Sequence, residues 1–118
     1  GADVIYDPVG GDVFDESIRC INWGGRLLVI GFAGGRISNL PVNYPLIKGF
    51  SVIGVRAGEY GRKNPDLGKE NIDIINNLAN EGKLKPHICK IFSFEHSLKA
   101  LKYLKDRKLI GKVVISIS

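Results

Sequence analysis

The chain has 118 residues, of which 44% are apolar and 25% are charged, a balance typical of one ordinary α/β domain. Its apolar runs fall far short of the ~20 residues that a membrane helix needs, and no basic-then-apolar leader opens it. We therefore expect a cytoplasmic protein with no membrane partner. Cys20 and Cys89 are too few for a disulfide framework and belong to no CxxC pair.

The net charge of +5 is concentrated late in the chain, in a series of lysines and arginines that includes Lys108. Such a series can attract phosphates or nucleic acid. These side chains recur at helical spacing opposite an apolar stripe, which is typical of a solvated helix face. A solvated surface is the preferred interpretation, and we expect no nucleic acid partner.

The chain contains no methionine and enters a strand-like segment within its first residues, so we expect a piece cut from a longer protein. The apolar run 4–6 predicts a buried strand, and the turn-forming residues 7–11 end it. A helix should follow, capped by Asp12 and ended by Gly24 and Gly25. Its apolar stripe consists of Phe14, Ile18 and Ile21.

The nearly unbroken apolar run 26–30 predicts a central parallel strand that is covered by helices on both faces. A second glycine-rich stretch, 31–35, follows directly. Two prolines limit residues 40–49 to one or two helical turns. Residues 51–55 should form the next strand, and connections of this length between strands imply parallel crossovers.

The second half of the chain predicts a loop over 56–63 and then a long helix from Asn64 and Pro65 up to Gly82. An extended segment at 86–94 precedes a helix at 95–106, and residues 113–115 form a closing strand. The inward positions of the two helices are Leu67, Ile74, Ile75 and Leu78 in the first, and Leu98, Leu101 and Leu104 in the second.

The alternation of strands and helices predicts an α/β fold with a doubly wound parallel sheet and right-handed crossovers. Ligands of such sheets bind beyond the carboxyl ends of the strands. The stretches 9–11 and 31–35 both follow strands, so both should open on that edge. No GxGxxG or GxxxxGK[ST] sequence is present, so a pyrophosphate-binding loop is missing and half of a nucleotide fold remains.

The histidines give no indication of a metal or of nucleophilic catalysis. His87 and Cys89 have a spacing compatible with two ligands on one side of a strand, but zinc sites use three or four. His96 follows Glu95 at the start of a helix and has no HExxH partner, which favours a solvated or capping histidine. A Ser-His-Asp arrangement cannot be derived from spacing. We expect no metal site.

Four segments resemble the medium-chain dehydrogenases of the zinc-independent quinone oxidoreductase branch. They are residues 1–11 (GADVIYDPVGG), 19–33 (RCINWGGRLLVIGFA), 82–86 (GKLKP) and 106–114 (DRKLIGKVV). The resemblance implies the second half of a Rossmann-like nucleotide-binding domain plus the C-terminal closing segment. Residues 1–118 would form a single partial domain, in which the chain from about residue 84 returns toward a substrate domain that is missing.

The resemblance implies hydride transfer from NADPH to a quinone or an α,β-unsaturated carbonyl, without catalytic zinc. It also implies that the nicotinamide is held largely by backbone groups. No catalytic side chain is then expected here, and the piece alone should be inactive. Phe32 is alternatively a core aromatic and Lys112 an exposed lysine. The implied cofactor-binding residues are Val9 and Gly10 at the ribose, Gly31, Phe32 and Ala33 at the nicotinamide, Gly111 and Lys112 in the closing turn, and Arg56 near the pocket.

The resemblance also implies a homodimer that pairs through the strand at 51–55. Two other functions stay open at this point. One is a non-catalytic Rossmann-like module that binds nucleotide or RNA through the lysine-rich half. The other is a piece of a zinc-dependent alcohol dehydrogenase whose zinc ligands lie upstream.

Overall fold

The computed structural model describes residues 1–107 and 109–117, so Lys108, one of the late basic residues, and Ser118 lie outside the described chain. The chain folds into two compact units, Gly1–Pro65 and a second from Asp66 onward. That both belong to one partial domain of a longer protein stays a prediction.

The first unit is a three-stranded parallel sheet with helical crossovers, in the strand order β1-β2-β3. The predicted α/β class with parallel strands is confirmed, and the second strand is central, as its unbroken apolar run indicated. The elements are β1 (Ala2–Asp7), α1 (Asp12–Cys20), β2 (Ile21–Val29), α2 (Asn43–Lys48), β3 (Ser51–Gly54) and α3 (Ala57–Lys63).

The core of the first unit lies between α1 and one face of this sheet. Leu27 on the central strand is fully buried, with Ile5 and Val52 beside it in register on the neighbouring strands. Phe14 and Ile18 from α1 pack onto this row, as predicted. Ile21, the third residue of the predicted helical stripe, is buried in the same core but begins β2. The opposite face stays open: Tyr6 is 67% exposed.

The helix α1 ends at Cys20, four residues earlier than predicted from Gly24 and Gly25. Its end is stabilised by Lys48, whose Nζ donates to the carbonyl oxygens of Ile18 and Arg19. The glycine pair lies instead inside β2, where the register moves from Ala2–Ile21 to Val4–Arg26. Gly24 has φ +73°, a left-handed conformation that fits such a bulge.

The loop predicted over 56–63 is wrong, because residues Ala57–Lys63 form the helix α3. The Tyr60 amide donates to the Arg56 carbonyl at 2.9 Å, and Arg62 pairs with Glu59 at 2.9 Å. Two glycines in this stretch lower its helix propensity, which is why the apolar pattern did not reveal it.

The second unit contains the helix α4 (Pro65–Asn80), which begins at the unit boundary, and a two-stranded parallel sheet with a helical crossover. Its further elements are β4 (Ile88–Ser93), a 3₁₀ turn (Phe94–His96), α5 (Ser97–Lys105) and β5 (Lys112–Ser116). The helix at 65–80, the extended segment and the closing strand are confirmed in type and place.

The predicted inward face of α5 is wrong for the described chain. Leu98 is 79% exposed and Leu101 is 58% exposed, whereas Ala100 is almost completely buried. The helix contacts both strands of its small sheet, and a surface of two strands covers only the side that carries Ala100. The leucine side is left uncovered, and so are Leu67, Ile74 and Ile75 of α4.

A pair of glycine substitutions tests the bulge in β2. An added Cβ meets nothing within 4 Å at either Gly24 or Gly58, but only Gly24 has a positive φ. Gly58→Ala should raise the free energy of unfolding by about 0.5–1 kcal/mol, since alanine favours the helix α3. Gly24→Ala should lower it by about 1 kcal/mol, since an L side chain is strained there. Chemical denaturation followed by circular dichroism measures both, and changes of the same sign would refute the assigned bulge.

Candidate functional site

The first turn of the site is organised by the side chain of Asp7, the last residue of β1. Its Oδ1 accepts hydrogen bonds from the backbone amides of Val9 and Gly10, both at 2.9 Å. The side chain is only 2% exposed, so these bonds form in a region that water does not reach. A carboxylate that binds amides two and three residues ahead fixes a tight turn at the carboxyl end of the strand.

The two glycine-rich stretches meet at this edge of the sheet, as the alternation of elements predicted. The amide of Ala33 donates to the carbonyl of Pro8 at 3.1 Å, and the amide of Gly34 donates to the carbonyl of Val9 at 2.8 Å. The two backbones run so close that a Cβ at Gly34 would lie 3.0 Å from the Val9 oxygen. Main-chain groups thus form most of the surface here.

Phe32 lies over the turn and does not belong to the core. It is 44% exposed, and its Cδ1 would be 3.0 Å from a Cβ added to Gly10. Gly10 also has φ +69°, so both its conformation and the ring above it require glycine. The interpretation of Phe32 as a plain core aromatic is therefore wrong. Gly31 and Ala33 flank the ring on the same loop.

Arg36 closes the outer side of the loop. Its Nη2 contacts Asp12 Oδ1 at 2.9 Å and Asp15 Oδ2 at 2.5 Å, both in the first turn of α1. The hydrogen bond to Asp15, followed by that to Asp12, raises the pKa of Arg36 above its usual value. Asp12 was predicted to cap α1, but the residue at that position is Gly11, and its amide donates to Ser38 Oγ at 2.8 Å.

An open cleft of about 460 Å³ lies beside these groups. It is lined by the turn after β1, the start of α1 and the loop after β2, that is by Val9, Gly10, Gly11, Asp12, Val13, Gly34 and Arg36. A concave surface of this kind at the carboxyl ends of parallel strands is the usual place for a ligand of an α/β sheet.

The remaining site residues lie elsewhere on the chain. Arg56 follows β3 and directly precedes α3, with its guanidinium 3.7 Å from Glu59. Gly111 and Lys112 belong to the second unit, where Lys112 begins β5 and its amide donates to the His87 carbonyl at 2.8 Å. Gly111 lies directly against the same carbonyl oxygen, so a side chain has no room there. Their role at a cofactor stays a prediction.

The second unit has a cleft of its own, of about 360 Å³, at the carboxyl ends of β4 and β5. Glu95 lines it, and hydrogen bonds from its own backbone amide and then from Ser93 lower the pKa of this carboxyl. Ser93 Oγ is also 3.0 Å from His96 Nδ1. These groups are exposed, and neither Ser93 nor His96 makes a side-chain cap hydrogen bond to the helical segment.

Residue patterns alone did not single out Asp7, Arg36 or Ser38 as parts of the site. The signal for Asp7 was present, since an aspartate three residues before a glycine pair is a frequent turn former. The contacts of Arg36 and Ser38 span 20 residues or more, so no local pattern reveals them.

Within residues 1–107 and 109–117, no group of three or more His, Cys, Asp or Glu side chains is arranged to hold a metal ion. Cys20 and Cys89 are free thiols. In the same part of the chain, no helix combines the length and the apolar character needed to cross a membrane.

The parallel sheet and the paired glycine turns define a Rossmann-like α/β fold. The family model described as zinc-binding dehydrogenase matches residues 1–115, and the chain belongs to this family. Within the medium-chain dehydrogenases it falls in the quinone oxidoreductase branch. It is 36% identical to quinone oxidoreductase-like protein 2 of Bos taurus, over 99% of this chain and 34% of that protein. It is 38% identical to the homologue from Nematostella vectensis, over 98% of this chain and 32% of that protein.

Other relatives extend the comparison. The chain is 30% identical to acryloyl-coenzyme A reductase of Sulfurisphaera tokodaii, over 95% of this chain and 31% of that protein. Quinone oxidoreductase of Pseudomonas syringae has the same fold, with a TM-score of 0.78 and 23% identity over 97% of this chain and 35% of that chain. A mycobacterial structure complexed with NADPH has a TM-score of 0.78 and 21% identity over 98% and 35%. The chain thus spans about one third of the curated relatives it matches.

The role of Asp7 gives a prediction for stability. Asp7→Ala leaves two amides without their acceptor and should lower the free energy of unfolding by about 1–3 kcal/mol. Asp7→Asn keeps an oxygen that can accept both bonds, so its loss should be clearly smaller. Thermal and chemical unfolding of the two variants decide this, and an equal loss in both would show that the charge matters more than the hydrogen bonds.

Proposed function

We propose that this chain is the C-terminal, nicotinamide-side part of an oxidoreductase that transfers a hydride from NADPH to a quinone or an α,β-unsaturated carbonyl. The observation that carries the proposal is the joined pair of glycine turns at the carboxyl edge of the sheet. Their main-chain groups border an open cleft, and the ring of Phe32 lies over the turn at Gly10. A flat ring can approach such a main-chain surface closely.

The substrate class is supported by the names of the relatives. Two of them are quinone oxidoreductase-like proteins, and a third is a reductase of acryloyl-coenzyme A, whose alkene is conjugated to a carbonyl. Quinones contain the same conjugated unit. Hydride addition to one end of such a unit moves charge onto the oxygen, and a proton then completes the reduction.

NADPH supplies the hydride, and the chain supplies position. In this proposal the turn at Val9 and Gly10 borders the ribose, and the loop at Gly31, Phe32 and Ala33 lies against the nicotinamide. For Arg56, Gly111 and Lys112 a role in cofactor binding is likewise proposed. The part of the chain from about residue 84 is proposed to lead back to a substrate domain, and the protein is proposed to work in the cytoplasm.

Spectrophotometry on the full-length protein tests the proposal. NADPH oxidation should depend on an added quinone or enone, and NADPH should bind. The 118-residue chain alone should be inactive and should bind NADPH far more weakly than the roughly 8 kcal/mol of a micromolar complex, because it has no pyrophosphate-binding helix N-terminus. A full-length protein that neither binds NADPH nor reduces either acceptor refutes the function.

A second candidate is a zinc-dependent alcohol dehydrogenase, which the description of the family model favours. Metal analysis of the purified full-length protein separates the two. Activity on enones or quinones without bound zinc supports the proposal, whereas stoichiometric zinc together with alcohol oxidation supports the second candidate.

A substitution at Gly31 tests the cofactor loop. A Cβ there would lie 3.3 Å from the Pro8 oxygen, whereas a Cβ at Gly58 has no neighbour within 4 Å. Gly31→Val in the full-length protein should lower kcat/KM for NADPH by roughly a hundredfold, since a displaced loop misplaces the nicotinamide. Gly58→Val is the control and should keep wild-type kinetics. Kinetics and melting are compared for both, and unchanged activity of folded Gly31→Val would contradict the assignment.

The proposed homodimer pairs through the edge strand at 51–55. The Val55 amide donates to Val29 at 3.0 Å, so amides of odd number face β2 and those of Val52 and Gly54 face outward. Gly54→Pro removes an outward amide and should abolish the dimer without unfolding the sheet. Gly54→Ala keeps that amide and adds a Cβ that meets nothing within 4 Å, so it should leave the dimer intact. Light scattering measures the mass of each, and a dimeric Gly54→Pro protein or a monomeric wild type would refute this interface.

A further inference from the structure

The loop that joins β2 to α2 forms one wall of the cleft and is held by hydrogen bonds at three places. Near its start, the amides of Ala33 and Gly34 donate to carbonyls of the turn after β1. Farther along, after Gly35 with φ +90°, the side chain of Arg36 reaches the helix α1. Ser38 Oγ then accepts a hydrogen bond from the Gly11 amide at 2.8 Å. The loop has no helix or strand between these points, so its position depends on the three attachments.

Arg36 contacts every element that builds the cleft. One guanidinium nitrogen binds Asp12 and Asp15 of α1. The Arg36 carbonyl oxygen would be 3.2 Å from a Cβ at Gly10, and its own Cβ would be 3.5 Å from one at Gly11. The main chain of Arg36 therefore lies close to the turn after β1, and its side chain binds the helix α1.

The charges of Asp12, Asp15 and Arg36 also indicate that the arginine supports the cleft. Asp12 and Asp15 carry negative charge beside a cleft proposed to receive a cofactor with phosphate groups, and such charges repel anions unless they are paired. The guanidinium pairs with both. An exposed ion pair contributes little to global stability. The pairs of Arg36 should therefore affect the position of the loop and the electrostatic potential in the cleft.

We propose that Arg36 is a positioning residue, which holds residues 31–35 against the turn after β1 by pairing with Asp12 and Asp15. This inference rests on the proposed function in that NADPH is the cofactor the loop is held for. Arg36 acts through the two carboxylates and the loop, and it does not touch the reacting atoms.

The test compares Arg36→Ala and Arg36→Lys in the full-length protein with a matched control. Arg36→Ala should raise KM for NADPH roughly tenfold, with a small change in melting temperature. Hydrogen exchange of the Ala33 and Gly34 amides should also become roughly tenfold faster. Arg36→Lys, which can reach one carboxylate, should recover part of both effects. Arg19→Ala removes the exposed pair between Arg19 and Glu16 on the same helix and should change neither.

A mutant cycle of Arg36 with Asp12 and Asp15 tests whether the arginine acts through these two carboxylates. In a protein carrying Asp12→Ala and Asp15→Ala, Arg36→Ala should add almost nothing, because both acceptors of the guanidinium are already removed. If Arg36→Ala still raises KM in that background, the arginine acts on the cofactor directly and the positioning role is wrong. If KM and the two exchange rates of Arg36→Ala stay within about twofold of wild type, the proposal also fails. A wild type that does not bind NADPH refutes the proposed function, while the exchange rates still decide whether Arg36 holds the loop.

Discussion

The buried carboxylate of Asp7 is the interaction on which the rest of the site depends. It ends β1 and accepts the amides of Val9 and Gly10, which turns the chain back across the edge of the sheet. The carbonyls of Pro8 and Val9 then face the next loop and accept its amides. Because each step uses main-chain groups, the only side chain that the turn strictly requires is the acceptor at its base.

This construction explains why a binding surface can form from residues with almost no functional groups. Glycines at 10, 31 and 34 bring two backbones together, and Phe32 covers the junction. A cofactor that carries its own reactive group needs orientation from the protein more than it needs an acid, a base or a nucleophile. The site offers a main-chain surface with amides and carbonyls, and its charged residues, Asp12 and Arg36, lie at its side.

The sequence patterns predicted the strands well. The apolar run 26–30 indicated the central parallel strand, and the glycine-rich stretches 9–11 and 31–35 marked where two strands end. The patterns failed where distant contacts decide. Lys48 binds the last carbonyls of α1 from 30 and 29 residues away. The helix α3 was missed for a local reason instead, because its two glycines lower helix propensity although i,i+3 pairs of Glu59 support it. Asp12 was expected to cap the N-terminus of α1, but its side chain instead binds Arg36, which lies 24 residues away. The convergence of the two turns was predictable from topology; the residues that fasten them were not.

Apolar side chains are exposed on one face of the three-stranded sheet and on α5. Leu27 is completely buried on one face of the sheet, whereas Val4 and Tyr6 on the other face are 47% and 67% exposed. A doubly wound sheet normally carries helices on both faces. In the second unit the leucines of α5 are exposed in the same way. The chain also spans about one third of its curated relatives. Uncovered apolar faces of this kind are what a part of a longer enzyme presents where the remaining chain packs, which supports the proposal that the cofactor site is completed by residues outside this sequence.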